Sequence, residues 1–113
     1  MIKLFFPTID DLEIKATIKT LKSGFWASGT GVGNVKKFEN LFKKYTNATE
    51  CVAVDSGTAA LDLALKVVDI NKKEVLVPSL TFVSSINAIK YNGGIPIFVD
   101  VKPDTLCMDP KDL

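Results

Sequence analysis

The stretch Cys51-Val52-Ala53-Val54-Asp55-Ser56-Gly57-Thr58-Ala59-Ala60-Leu61 decides the fold. Its first four residues form a short apolar run with two valines, the pattern of a strand buried on both faces. Ser56 follows as a helix N-cap, and Gly57-Thr58 opens a helix whose Leu61, Ala64, Leu65 and Val68 fall on one face. The passage therefore predicts a strand at 51–54, a tight turn, and a helix at 59–68, with Asp62 and Lys66 paired on its outer face.

The same pattern recurs downstream. Glu74-Val75-Leu76-Val77 and Ile95-Pro96-Ile97-Phe98-Val99 read as two more strands buried on both faces. Residues 82–92 between them read as a helix with Val83, Ile86 and Ile89 on its apolar side and Gly93 at its stop. Pro78 starts a loop and Pro96 suits a strand edge. Strand, helix, strand, helix, strand is the signature of a parallel sheet with right-handed crossovers.

Two helices precede this unit. Ile14, Ile18 and Leu21 are spaced for a helix over 8–21, with Asp10, Asp11 and Glu13 in its first turn and Ser23-Gly24 as its stop. Val35, Phe38, Leu41, Phe42 and Tyr45 mark a second, where Glu39 and Lys43 are spaced to pair. The glycine-rich passage between them follows a helix rather than a strand, so it reads as a flexible connection and not a dinucleotide loop. The expected fold class is α/β, a βαβαβ parallel sheet preceded by two helices, with residues 1–113 as one partial domain.

Composition narrows the function classes. The chain has 113 residues, 47% hydrophobic and 24% charged, as in an ordinary globular protein. Its net charge of +1 and dispersed lysines leave no footprint for nucleic acid or an anionic membrane. No apolar run approaches a membrane span or a signal peptide, which makes the cytoplasm the expected location. With no histidine, Ser-His-Asp and Cys-His catalysis and mixed His metal sites are excluded within these residues, and no metal site is expected. Cys51 and Cys107 form no CxxC pair. Arginine is absent too, so an anion would have to be held by backbone N–H groups, hydroxyls or lysines.

Ligands of parallel α/β sheets bind beyond the carboxyl ends of the strands, which points to the loops 55–58 and 78–81. Ser56-Gly57-Thr58 offers N–H groups and a hydroxyl at the positive end of a helix, the chemistry of a phosphate seat. On its own the same triplet reads more readily as a tight turn with a capping serine, and it lacks the Gly-Lys-Ser/Thr ending of a Walker loop.

Taken together, the 51–61 stretch, Glu74-Val75-Leu76-Val77-Pro78-Ser79-Leu80-Thr81-Phe82 and Ile95-Pro96-Ile97-Phe98-Val99-Asp100-Val101 resemble the DegT/DnrJ/EryC1/StrS aminotransferases. Gly24-Phe25-Trp26-Ala27-Ser28-Gly29, Phe38-Glu39, Pro103-Asp104-Thr105-Leu106 and Met108-Asp109-Pro110 extend the resemblance in order along the chain. The resemblance implies the N-terminal part of the large domain of a fold-type-I pyridoxal-phosphate enzyme. Gly57 and Thr58 match positions that bind the 5′-phosphate of pyridoxal 5′-phosphate. Phe82 matches the aromatic stacked on the pyridine ring, although a phenylalanine opening a helix is also an ordinary core residue. Trp26, Ser28 and Gly29 match a loop near the substrate entrance; a loop tryptophan can also serve as a packing anchor.

The resemblance further implies transfer of an amino group from an amino acid such as glutamate to a keto group of a nucleotide-linked sugar, in a homodimer. The Schiff-base lysine and the aspartate on the pyridine nitrogen are expected beyond Leu113, so none of the fourteen lysines is assigned a catalytic role. Lys73 stands where the family usually has an acidic residue, and Gly31-Val32-Gly33 resembles an insertion. Dehydratase or isomerase relatives using the same cofactor, a truncated non-catalytic fragment, and a small phosphate-binding βαβ module are the alternatives.

Overall fold

In the computed structural model the first helix, α1, runs Asp11–Ser23, three residues later than its apolar spacing suggests, because Asp10 caps it. The Asp10 carboxylate accepts the Leu12 N–H at 2.7 Å and the Asp10 N–H donates to Glu13 Oε2 at 2.8 Å, a reciprocal capping box. Gly24, at φ 71, ends the helix in the left-handed conformation open to glycine. Lys3 and residues 5–26 and 33–113 are described, so the predicted connection over 24–33 lies mostly outside the described residues.

The second helix, α2, spans Asn34–Thr46 and ends on Asn47, also left-handed. Asn34 Nδ2 donates to Thr20 Oγ1 at 2.6 Å, fastening α2 to α1. The expected Glu39–Lys43 pair does not form. Lys43 instead reaches Glu50 at 3.1 Å, while Glu39 pairs with Lys36 at 3.3 Å and accepts the Ala53 N–H at 3.0 Å. A carboxylate only 15% exposed takes a backbone donor that has no strand partner, a better use than a solvated lysine four residues away.

Contacts divide the chain into two units, Met1–Ala53 and Val54–Leu113. In the second, α3 (Gly57–Val68), β1 (Glu74–Pro78), α4 (Val83–Tyr91) and β2 (Ile95–Val99) follow in the predicted order. The strands pair in parallel, Glu74 with Ile95 through Pro78 with Val99, and α4 connects them. Helix α3 packs on α4, and α4 on both strands. Ile70, Val77, Ala88, Ile89 and Val99 form the buried centre, with Leu65, Val75 and Ile86 packed against it. Gly94 permits this closeness: a Cβ there would sit 2.8 Å from Ile70 Cδ1 and 2.9 Å from Ile89 Cγ2. Beyond β2 the chain turns at 103–106, and Val101 bridges Met108 antiparallel.

Three expectations change. Residues 51–54 are not a strand among the described residues; no neighbouring backbone pairs with them, and a strand exists only through its ladder. Within the second unit β1 and β2 are covered by α4 on one side rather than by helices on both; Leu76 and Phe98 are more than half exposed. Asp62 pairs with Asn92 rather than Lys66, the Asn92 Nδ2 donating to its Oδ1 at 2.7 Å.

Candidate functional site

The turn entering α3 is built by Ser56. Its extended backbone stops the helix from starting earlier, and its Oγ accepts the Ala59 N–H at 3.2 Å while donating to Asp55 Oδ1, also at 3.2 Å. The Ser56 carbonyl accepts the Ala60 N–H at 3.1 Å. These bonds use the third and fourth amides of the helix. Among the described residues the first two, Gly57 and Thr58, have no acceptor. They form the positive end of a twelve-residue helix with no acidic residue in its first turn.

Gly57 needs no unusual backbone, and a Cβ there would meet nothing within 4 Å. No described residue requires glycine at this position, whereas an anion seated on the Gly57 and Thr58 amides gains closer approach from the missing side chain. The exposed Thr58 adds a hydroxyl beside them. The arrangement fits a phosphate group: two amide donors and one hydroxyl, with no carboxylate in the helix's first turn.

Phe82 is the N-cap of α4, four residues after the end of β1; its backbone is extended at φ −77, ψ 139, and its hydrocarbon side chain has no acceptor to make a cap hydrogen bond. The side chain is 76% exposed, so it takes no part in the core of its own unit. Thr81 Oγ1 donates to Ser85 Oγ at 3.3 Å, and Ser79 N–H donates to Val99 O at 2.8 Å, which carries the sheet pairing into the 78–81 loop. Gly57, Thr58 and Phe82 thus all belong to unit Val54–Leu113, on the opening turns of two helices that pack together.

Trp26 belongs to the other unit, where its Nε1 donates to the Leu21 carbonyl at 3.1 Å beside the C-terminal cap of α1. Its ring is exposed. Ser28 and Gly29 lie outside the described residues. The tie between Glu39 and Ala53, just ahead of the turn, was not anticipated; the only sequence signal was an acidic residue on an apolar helix flank next to Phe38. Among the described helices none is long and apolar enough to cross a membrane.

The chain and its fold match known proteins. GDP-perosamine synthase of Escherichia coli O157:H7 is 37% identical over 113 residues, 99% of this chain and 30% of that protein. Among solved structures, Spr1654 of Streptococcus pneumoniae, named as a sugar aminotransferase and solved in its PLP-form, superposes with TM-score 0.76 at 35% identity, covering 91% of this chain and 26% of its own. The E. coli GDP-4-keto-6-deoxy-D-mannose-3-dehydratase with bound hydrated PLP gives TM-score 0.77 at 28% identity, over 94% of this chain and 28% of that one. The chain therefore spans between a quarter and a third of the length of these relatives. Residues 7–113 match the DegT/DnrJ/EryC1/StrS aminotransferase family, and the chain belongs to it.

Proposed function

We propose that this chain is the N-terminal part of the large domain of a pyridoxal-phosphate-dependent aminotransferase that moves an amino group from an amino acid, glutamate for example, to a keto group of a nucleotide-linked sugar. The observation that carries the proposal is the pair of amides on Gly57 and Thr58 that have no acceptor among the described residues, joined by the Thr58 hydroxyl at the start of α3. In this reading Gly57 and Thr58 bind the cofactor's 5′-phosphate and fix its position. The exposed Phe82 ring lies against one face of the pyridine and shields it from water. When bound, the cofactor supplies the electron sink for carbon–nitrogen chemistry. Trp26, Ser28 and Gly29 border the sugar substrate. Residues 1–113 fold as one part of that domain, and the complete protein is a cytoplasmic homodimer.

Relatives named as a GDP-perosamine synthase and as a sugar aminotransferase support the sugar substrate, and the GDP of the first supports a nucleotide handle. The dehydratase relative favours a second reading, removal of water from the sugar with the same cofactor. The complete protein, supplied with cofactor, nitrogen-15 glutamate and a nucleotide-linked keto sugar, separates them. Label in the sugar product supports aminotransfer; a dehydrated product without label supports the second reading. No cofactor binding would remove both.

A further inference from the structure

Asn92-Gly93 follows α4, and the Asn92 side-chain nitrogen is its most heavily bonded group. Nδ2 donates to Asp62 Oδ1 at 2.7 Å, to Ala88 O at 2.9 Å and to Asp62 O at 3.2 Å. Asn-Gly is also the peptide least protected against deamidation, since glycine puts no side chain between its amide nitrogen and the asparagine carbonyl carbon. In that reaction the Gly93 nitrogen loses its proton to a base in solvent and bonds to Asn92 Cγ. The Cγ–Nδ2 bond breaks as the nitrogen takes up a proton from solvent and departs as ammonia, and water opens the cyclic imide to aspartate or isoaspartate.

Every part of that step is blocked in the folded unit. The leaving nitrogen is held by three acceptors. The attacking nitrogen's N–H donates to Lys90 O at 3.0 Å. Ring closure needs the Asn92 Cβ and the Gly93 nitrogen nearly eclipsed about the Cα–C bond, and ψ 12 at Asn92 holds them far apart.

We propose that Asn92 is a latent deamidation site, latched by Asp62 of α3, that reacts only from states in which α3 and α4 have separated. The product cannot re-form the latch. An ionised carboxylate donates no hydrogen bond, yet it would face the Asp62 carboxylate and two carbonyl oxygens that had shared an amide. Each event therefore converts a transient opening into a permanent loosening of the α3–α4 contact, independently of the catalytic reading.

The test is peptide mapping of the complete protein aged at mildly alkaline pH, with isoaspartate at position 92 as the readout. Wild type is expected to react at least about ten-fold slower folded than in urea, since the folded rate is scaled by the opening equilibrium. Asp62→Ala is expected to raise the folded rate several-fold. Asp62→Asn, whose side-chain oxygen still accepts, is expected to stay near wild type. Equal rates folded and unfolded would overturn the proposal, as would an unchanged rate in Asp62→Ala. Should Asp62→Ala not fold, wild type in urea below its unfolding transition replaces it; a rate that fails to rise with amide exchange in α3 and α4 also overturns it.

Discussion

Glu39 Oε1 accepts the Ala53 N–H at 3.0 Å, so a helix carboxylate, rather than a neighbouring strand, holds the segment that the apolar pattern marks as a strand. The Ala53 amide and the adjacent Lys36 ammonium favour the charged form of this carboxylate and hold its pKa below the ordinary glutamate value, against the desolvation that would raise it. Asp10 is lowered as well, by its bonds to Glu13 and to the Leu12 N–H.

The sign of the pH dependence follows from that direction. A carboxylate with a depressed folded-state pKa contributes stability that is fully present above its unfolded value. That contribution drains away as pH falls from there through the folded value. Protection of the Ala53 amide from exchange is therefore expected to be constant from neutrality to mild acid and to fall only below the usual carboxylate range. Glu39→Gln, which can still accept, is expected to retain partial protection without this acid transition. A wild-type Ala53 amide whose protection does not change in acid would refute the assignment.

Much of this fold was legible because helices and strands carry their own periodicity. The stripes at Ile14, Ile18, Leu21 and at Leu61, Leu65, Val68 predicted helices that the structure contains at nearly those bounds. Partner choice was not legible. Glu39 and Lys43 had helical spacing, yet Glu39 found a backbone donor fourteen residues away. Asp62 found Asn92 across thirty. The strand at 51–54 failed because a run of apolar residues records what a segment could bury, whereas a strand also requires a second backbone beside it. At the site, Ser56 as cap was readable from sequence. The free amides that Gly57 and Thr58 present as the helix opens were readable too, and among the described residues the structure gives them no acceptor.

Gly57 permits a test in which fold and binding move in opposite directions. The open space around it means that Gly57→Ala costs no packing, and replacing a helical glycine is expected to raise stability by about 0.5–1 kcal/mol. The same methyl would crowd an anion on the Gly57 and Thr58 amides. A higher melting temperature together with weaker cofactor affinity in the complete protein is the expected result. Unchanged affinity would remove Gly57 from the phosphate seat.

Thr58→Val separates the hydroxyl from the amides, because the backbone N–H survives the change. Losing one hydrogen bond to a charged phosphate is expected to weaken cofactor binding by about 1–3 kcal/mol. Titration of pyridoxal 5′-phosphate into both forms measures it, and equal dissociation constants would leave Thr58 with no part in binding.

For Phe82 the exposed ring sets the expected order of variants. If it stacks on the cofactor, Phe82→Tyr keeps the stacking surface and changes little, whereas Phe82→Leu shifts cofactor absorbance and lowers affinity. Both are expected to melt close to wild type, since Phe82 lies outside the core of its own unit. A large loss of stability in Phe82→Leu with cofactor binding intact would mark the ring as a packing element.

Residues 1–113 produced alone are expected to be poorly folded and without aminotransfer activity. Five hydrophobic side chains are buried among the described residues, while Leu76 at 52%, Phe98 at 57% and Val67 at 87% exposure face outward. The described sheet has two strands, each with an open edge, and two-stranded sheets are marginal in water unless a second layer covers them. Apolar faces and open strand edges of this kind associate with other chains, so dye binding, aggregation and poor amide dispersion are the expected signs. The expected inactivity has a separate origin. Amino transfer through this cofactor requires a lysine that attaches it, and none of the fourteen lysines in the chain stands in a motif matching that residue. Co-expressing residues 1–113 with the remainder of the protein as a second polypeptide separates the causes: recovered folding and activity together would mean that the missing cover and the missing lysine are supplied in trans. A monodisperse, cooperatively melting 113-residue product whose cofactor is trapped by borohydride on one of its own lysines would contradict both parts of the expectation.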